Sequence, residues 1–363
     1  MVPSYPLYAN QITVATRFTS IGAALQSSMS LRVLWLTLSV YSAPPHIEAL
    51  YEQMVADELA IKLLLERFNC SHVYFDMGAN IGVQIRKLHE ATLYPHAPAV
   101  RLFDATFGPA PHCDVCAIAI EPNPRHALRL AQLKENYHRA GVGVLVLIAA
   151  VSDADGVTRL NGFNRTDRWI QRHGGVELQV AASVADTFSD TQEAHGDSAI
   201  VRTVDLARLV HTVDRLLVRM HGGRDAAGTK IVMKMDIEGS EHRVLPHLMH
   251  THAMCLVNRV YMEWHGAAMK SWFVAQMAKS PCGPALSGDF HASRNDDETY
   301  RNDGRPWPKT ALCEATAGFG RQYLPSSRPI FAPFGEARQG SSRASGAARV
   351  SLLCEASLAV LGP

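Results

Sequence analysis

The sequence lacks an excess of charge of either sign. It has 35 Lys and Arg against 34 Asp and Glu, a formal net charge of +1 over 363 residues. A chain without a strong overall field is not drawn to nucleic acid, so we expect no nucleic-acid partner. It also lacks an uninterrupted apolar run of about 18 residues, so we expect no segment that spans a membrane. Hydrophobic residues make up 47%, which excludes a wholly disordered chain.

Cysteine is scarce, with seven residues in the whole chain. That density is far below the density of a disulfide scaffold, and an odd number leaves at least one cysteine unpaired. Cys113 and Cys116 form a CxxC pair beside His112, but no second pair follows at the spacing of a zinc ribbon. The sequence therefore predicts no metal site, and we interpret these cysteines as residues that lead into a buried strand.

The two ends lack the pattern of a folded core. Residues 1–47 contain no Asp or Glu, and Val33–Val40 is a short apolar run. We interpret 1–44 as a leader, which leaves open a signal peptide, an organelle transit peptide or a disordered extension, and otherwise a cytoplasmic protein. Residues 309–363 are rich in Gly, Ser, Pro, Ala and Arg, which predicts a disordered, low-complexity tail. The sequons that begin at Asn69 and Asn164 matter only on the secretory route.

The middle of the chain alternates apolar strands with amphipathic helices. Because helices separate continuous apolar strands, we predict an α/β fold with a mainly parallel, doubly wound sheet and helices on both faces. A stretch rich in Pro and Gly, residues 93–111, is predicted to be a loop. The predicted strands are 73–75, 117–120, 144–151, 231–233 and 257–262.

Each predicted strand ends at an acidic residue or at a loop that carries one. In a parallel sheet these ends meet at one edge, where ligands bind. We therefore expect a binding site that is formed at this edge. The acidic residues are Asp76, Glu121, Asp153, Asp236 and Glu263.

The glycines after the first strand indicate which ligand this site binds. Their spacing, Gly78-x-x-x-Gly82, departs from the dinucleotide pattern, and Glu121 follows much later than the about 20 residues that the pattern requires. This disfavours a nicotinamide oxidoreductase. An acid that precedes the glycines, Asp76, suits a cationic ligand such as S-adenosylmethionine, with Glu121 placed to accept hydrogen bonds from its ribose.

Five sequence blocks resemble the FkbM-type methyltransferases. The most specific is Lys234–Glu241, which is similar to the K-x-D-x-E-G-x-E block of that family. The resemblance implies a Rossmann-like class I methyltransferase fold over residues 45–308, with the family core at about 72–265. It also implies S-adenosylmethionine as cofactor and transfer to a hydroxyl group of a small molecule or glycan. The other four blocks are Tyr74–Gly82, Ile120–Pro124, Ala150–Gly156 and Val201–Leu206.

The strand ends and the resemblance together give a set of candidate site residues. For the catalytic step we expect Asp236 first, with Glu238, Glu263 and His265 as candidates for holding the acceptor or taking its proton. The sequence does not single out the base, nor does it give an oligomeric state. The expected cofactor-binding residues are Asp76, Gly78, Asn80, Gly82, Glu121, Asn123, Ser152, Asp153 and Asp236.

Two alternatives stay open at this stage. A non-catalytic member of the fold would bind cofactor or a partner without turnover. A nucleotide-sugar glycosyltransferase would use Asp153-Ala154-Asp155 as a metal-binding D-x-D motif. The sequence has no hairpin pattern after Trp264 that would complete a seven-stranded sheet.

Overall fold

The computed structural model describes residues 45–161, 183–184, 198–223, 228–265, 267–280 and 303–313. Its helices are α1 Pro45–Phe68, α2 Val83–His89, α3 Pro98–Phe107, α4 Ala127–Arg139, α5 Leu206–His221, α6 Glu241–His250 and α7 Ala267–Met277. Its strands are β1 His72–Met77, β2 Val115–Ile120, β3 Val144–Leu147, β4 Ala150–Ser152, β5 Gly156–Asn161, β6 Ser183–Val184, β7 Ser198–Asp205, β8 Lys230–Met235 and β9 Arg259–Met262.

A five-stranded sheet in the order β3-β2-β1-β8-β9 forms the centre of the fold, and its pairings are all parallel. Side chains alternate across β1, so that Phe75 packs with α1, α5 and α6 on one face. Tyr74 packs with α2, α3 and α4 on the other face. Because both faces are covered, the central strands are mainly apolar. The predicted doubly wound α/β fold is confirmed.

A second sheet, in the order β4-β7-β5-β6, lies beyond the predicted third strand. The single strand expected over 144–151 is wrong, since β3 and β4 belong to different sheets. The chain changes partners between them: the Glu121 N–H donates to the Leu147 carbonyl, and the Ala149 N–H donates to the Glu121 carbonyl. One apolar run can serve two sheets, and the hydrophobic pattern alone does not mark where it divides.

The loop predicted over 93–111 contains a helix, α3. Pro98 occupies its first turn, where a proline costs no hydrogen bond. Val100 and Phe103 are buried on one side of the helix, which gives it a tertiary reason to form. The prediction failed because the prolines were interpreted as loop residues, whereas Pro98 begins a helix.

The cysteines have a larger role than the sequence indicated. Cys70 is bonded to Cys116 and Cys113 to Cys313, and Cys255 is disulfide-bonded as well. The interpretation of Cys113 as a residue that merely precedes a strand is therefore incomplete. The Cys113–Cys313 bond spans 200 residues of sequence and fastens the segment 303–313 to the sheet domain.

The segment 303–313 packs on α2 and α4. Asp303 is fully buried and accepts hydrogen bonds from Arg86 Nη1 at 2.8 Å and from the Tyr94 hydroxyl at 2.8 Å. The Trp307 ring lies against the guanidinium groups of Arg86 and Arg129, at 5.0 and 3.9 Å. The boundary expected at residue 308 thus falls inside a segment that contacts the domain. The leader 1–44 and residues 314–363 of the predicted tail lie outside the described residues.

The described part of the chain contains no helix that is long and apolar enough to cross a bilayer.

We expect Asp303→Asn to destabilise the protein by about 3 kcal/mol, because it leaves the buried Arg86 guanidinium with only one carboxylate partner, Glu90. The free energy of unfolding by urea measures this loss. Glu135→Gln is the control, since its ion pair with Arg139 is exposed on α4 and contributes little. Equal stabilities of the two variants would contradict a structural role for the segment 303–313.

Candidate active site

The carboxyl ends of β1 and β8 form a cleft at one edge of the central sheet. Gly78, Asn80, Lys234 and Asp236 are among the residues that line it. The two strand ends are tied by the backbone, since the Asp236 N–H donates to the Met77 carbonyl at 3.1 Å. The predicted site residues of β1 and β8 are therefore brought together, as the rule for parallel sheets requires.

The turn after β1 has a constrained backbone. Gly78 has φ +75°, and a Cβ at that position would lie 1.8 Å from the carbonyl oxygen of Asp236. Asn80 has φ +51°, a conformation that costs energy in a residue other than glycine. The chain turns closely over the end of β8 because Gly78 has no side chain, and the turn places Asn80 in the cleft wall.

Glu121 holds this turn from the end of β2. Its Oε2 accepts the Asn80 N–H and its Oε1 accepts the Asn123 N–H, both at 2.8 Å. Each carboxylate oxygen can accept a second hydrogen bond, so a bracing role leaves room for the expected ribose contact. Asn123 itself caps the following turn, because its side chain accepts the Arg125 N–H at 3.1 Å.

Close packing against Leu133 leaves no room for a side chain at Gly82. Gly82 precedes α2 with φ +83°, and a Cβ there would lie 2.4 Å from Leu133 of α4. The absent side chain lets α2 approach α4 closely. We therefore assign Gly82 to helix packing, whereas Gly78 lines the cleft.

Asp76 is the most unusual residue of the site. It is fully buried, and neither of its carboxylate oxygens has a hydrogen-bond partner. Burial raises the pKa of Asp76 to about 7, against a lowering influence of Lys234. A buried carboxyl group without a hydrogen-bond partner costs free energy. Asp76 therefore destabilises the fold relative to an apolar residue at the same position.

Lys234 is the cation next to Asp76, and the sequence analysis did not select it. The register pairs Asp76 with Lys234 across β1 and β8, which puts the two side chains on the same face. The Lys234 Nζ lies 2.8 Å from Asp236 Oδ2. The signal was available, since Lys234 is the first residue of the K-x-D-x-E-G-x-E block and stands two residues before Asp236.

On the other side of Asp236, acidic groups surround His265. The His265 Nε2 lies 3.3 Å from Glu238, 3.8 Å from Asp236 and 3.8 Å from Glu263. Glu238 has φ +51°, a second strained position beside the cleft. The four residues that were predicted for the catalytic step are thus neighbours in space.

The sequence analysis also missed Glu241, which holds the other side of the His265 ring. Its Oε1 lies 3.0 Å from His265 Nδ1, and its side chain is 3% exposed. The hydrogen bond that Glu241 accepts from the His265 ring is the main cause that raises the pKa of His265 to about 9, and the nearby carboxylates add to it. Glu241 closes the same K-x-D-x-E-G-x-E block that Lys234 opens, which was the available signal.

Ser152 ends β4 in the second sheet and lines a separate cleft with Asp155 and Arg243, and Asp153 follows Ser152 directly. Asp153 accepts a hydrogen bond from Arg243 at 2.9 Å, and Asp155 accepts two from Arg208 at 2.7 Å. Both acids of the D-x-D tripeptide are therefore neutralised by arginine. This pairing disfavours a metal-dependent glycosyltransferase, because the carboxylates that would hold the cation are already in use.

Asp236, Glu263 and His265 have ligand atoms within 4.8 Å of one another, which is a spacing that a metal ion accepts. We assign no metal to them. His265 is bound at Nδ1 by Glu241 at 3.0 Å and faces Glu238 with Nε2 at 3.3 Å. Asp236 is already paired with Lys234.

The parallel sheet, the close turn over β8 and the acidic strand ends together define an enzyme of the Rossmann-like methyltransferase class. A family model described as the methyltransferase FkbM domain matches residues 76–285, more than half of the chain. The chain therefore belongs to the FkbM methyltransferase family, and its general activity is methyl transfer. Comparison with curated proteins and with solved structures gives no significant match.

We expect Gly78→Ala to destabilise the protein more than Gly222→Ala. Gly222 has nearly the same φ, +74°, but a Cβ there would meet nothing within 4 Å. The control loses about 1 kcal/mol through backbone strain alone. Gly78→Ala should lose about 1–3 kcal/mol more, because the new methyl group meets the Asp236 carbonyl. The free energies of unfolding of both variants by urea measure the difference. Equal losses of stability would contradict a close contact between position 78 and the Asp236 carbonyl.

Proposed function

We propose that this methyltransferase uses S-adenosylmethionine to methylate a hydroxyl oxygen of a small molecule or glycan. The family indicates methyl transfer as the general activity. The proposal of S-adenosylmethionine as cofactor rests on Asp76. Its buried carboxyl group has no partner in the protein. Such a group is retained where a ligand supplies the partner, and at the end of β1 the ligand that fits is a cation.

S-adenosylmethionine offers the groups that this site lacks. Its ammonium can pair with Asp76, while Asn80 Oδ1, also buried and without a partner, can accept a donor of the cofactor. Glu121 keeps lone pairs for the ribose hydroxyls. The methionine end carries a sulfonium, an ammonium and a carboxylate, a net charge of about +1 that suits an edge rich in carboxylates.

When bound, the cofactor would supply a methyl group on a positively charged sulfur, which is open to in-line attack by an oxygen. The work that remains for the chain is alignment and proton removal. The turn from Gly78 to Asn80, held by Glu121, would align the cofactor. The Lys234–Asp236 ion pair, which lines the cleft, would lie between the cofactor and the acceptor. The acceptor hydroxyl would face His265, Glu238 and Glu263.

The disulfides support a proposal about location. Every cysteine among the described residues is disulfide-bonded, and such bonds persist in oxidising compartments. Asn69, the acceptor of the first sequon, is exposed. We infer that the enzyme works on the secretory route, where a glycan or another hydroxyl-rich acceptor is available.

Asp76→Asn tests the choice of cofactor. We expect the dissociation constant for S-adenosylmethionine, measured by calorimetry, to rise at least about tenfold, because a charge-assisted hydrogen bond is lost. S-adenosylhomocysteine, which keeps the ammonium, should be weakened similarly. Asp104→Asn is the control, since Asp104 is an exposed carboxylate on α3. Unchanged affinity in Asp76→Asn would contradict the proposed contact.

The same variant has an opposite effect on stability. The folded-state pKa of Asp76, about 7, lies above its ordinary value, so the wild type loses stability as pH rises from about 4 to about 7. Asp76→Asn removes this loss and should become more stable relative to the wild type across that window. Wild type that binds S-adenosylmethionine but methylates no hydroxyl acceptor would favour the non-catalytic alternative.

A peptide map tests the proposed location. After secretion from a eukaryotic host and alkylation of free thiols, we expect Cys113 and Cys313 in one disulfide-linked peptide. We also expect a glycan at Asn69 that Asn69→Gln abolishes. A secreted, folded protein in which both cysteines are alkylated would contradict the proposal.

A further inference from the structure

His265 is held on both sides of its ring. Its Nδ1 lies 3.0 Å from Glu241 Oε1, and its Nε2 faces the carboxylates of Glu238, Asp236 and Glu263 at 3.3–3.8 Å. An imidazole that is bound at Nδ1 by a carboxylate has its orientation fixed, which leaves Nε2 to meet a second group. In this structure Nε2 is on the side of Asp236, which lines the cleft.

Glu241 is a rigid partner for this ring. It is the first residue of α6, its side chain is 3% exposed, and its Oε1 also accepts the Ile237 N–H at 3.2 Å. The same oxygen therefore links the loop that carries Glu238 to His265, three residues after β9. The other three carboxylates around His265 are more exposed, between 20% and 37% of the side chain.

We propose that Glu241 is a positioning residue for methyl transfer: it holds the His265 ring by Nδ1 so that Nε2 takes the proton of the acceptor hydroxyl. This inference rests on the proposed function and names the base that the sequence left open. Glu241 does not touch the acceptor, and its effect passes through His265.

The proton and the electrons balance in this step. The acceptor oxygen attacks the methyl carbon, and its O–H bond breaks as the proton passes to His265 Nε2. The carbon–sulfur bond breaks at the same time, and its electron pair stays on sulfur. The products are a methyl ether, S-adenosylhomocysteine and an imidazolium, which returns its proton to water before the next turnover.

The electrostatics give this base a defined pH range. The Glu241 hydrogen bond is the largest cause that raises the pKa of His265 to about 9, and the charges of Glu241, Glu238 and Asp236 add to it against the effect of burial. Glu263 also faces Nε2, and Lys234 forms an ion pair with Asp236. The resting ring is protonated at neutral pH, so the transfer rate should rise with pH up to about 9. A base with a raised pKa is also better matched to a weakly acidic hydroxyl.

The test follows the His265 imidazole by NMR and the transfer rate in parallel, over pH 6 to 10, in the wild type and in E241Q. We expect His265 to titrate near pH 9 in the wild type and at least about one unit lower in E241Q, since a neutral amide replaces the carboxylate. The limb of the kcat/KM profile should move by the same amount. The maximal rate should fall at least about tenfold, with unchanged affinity for S-adenosylmethionine.

Two further variants separate positioning from folding. H265Q should lose the pH-dependent limb while it stays folded, and E66Q, an exposed carboxylate of α1, should behave as the wild type in every readout. If E241Q does not fold, H265Q decides: a limb that persists in H265Q overturns the proposal.

The two proposals fail differently. An unchanged His265 titration in E241Q overturns the role of Glu241, whatever the activity. A wild type that methylates no hydroxyl acceptor overturns the proposed function, even where the NMR titration is as expected. Activity that EDTA abolishes and Mg²⁺ restores would assign Asp236, Glu263 and His265 to a cation and would overturn the proposal as well.

Discussion

The pairing of β1 with β8 is the constraint on which the site depends. The two strands run in register from His72 opposite Lys230 to Met77 opposite Met235, so the residues after both strands emerge at the same level. Gly78 then crosses the end of β8 so closely that any side chain would meet the Asp236 carbonyl. A shift of one residue between these strands would put Asp76 and Lys234 on opposite faces of the sheet.

Charge is distributed unevenly around this edge. Asp76 lies buried without a partner, and Lys234 is paired with Asp236. Around His265 stand further carboxylates that one imidazolium does not fully neutralise. Carboxylates in this arrangement repel one another, which costs the fold free energy, and the proposed binding of a cation would relieve that repulsion. The strained backbone at Asn80 and Glu238 belongs to the same pattern, because strain of this kind persists where the surrounding structure holds a residue for a ligand.

Much of this architecture could be predicted from the sequence, because parallel strands covered on both faces have a continuous apolar pattern and acids at their ends. The prediction failed where one pattern has two outcomes. Residues 144–151 are one apolar run but two strands, since only tertiary contacts decide where pairing changes. Pro98 begins a helix although prolines also mark loops. The contacts of Glu241 with His265 and of Asp303 with Arg86 join distant parts of the chain; local periodicity carries no signal for either.

The segment 303–313 packs against α2, the helix that follows the turn from Gly78 to Asn80. Helix α2 follows that turn directly, and all seven of its residues are buried. Arg86 of α2 is held by Glu90 and by Asp303, and its guanidinium also donates to the Pro306 carbonyl at 2.8 Å. A helix of seven residues has little stability of its own, so these contacts and the Cys113–Cys313 bond fix its position. The geometry of the turn from Gly78 to Asn80 therefore depends on residues more than 200 positions later, and a chain without them would lack a support for the cleft between β1 and β8.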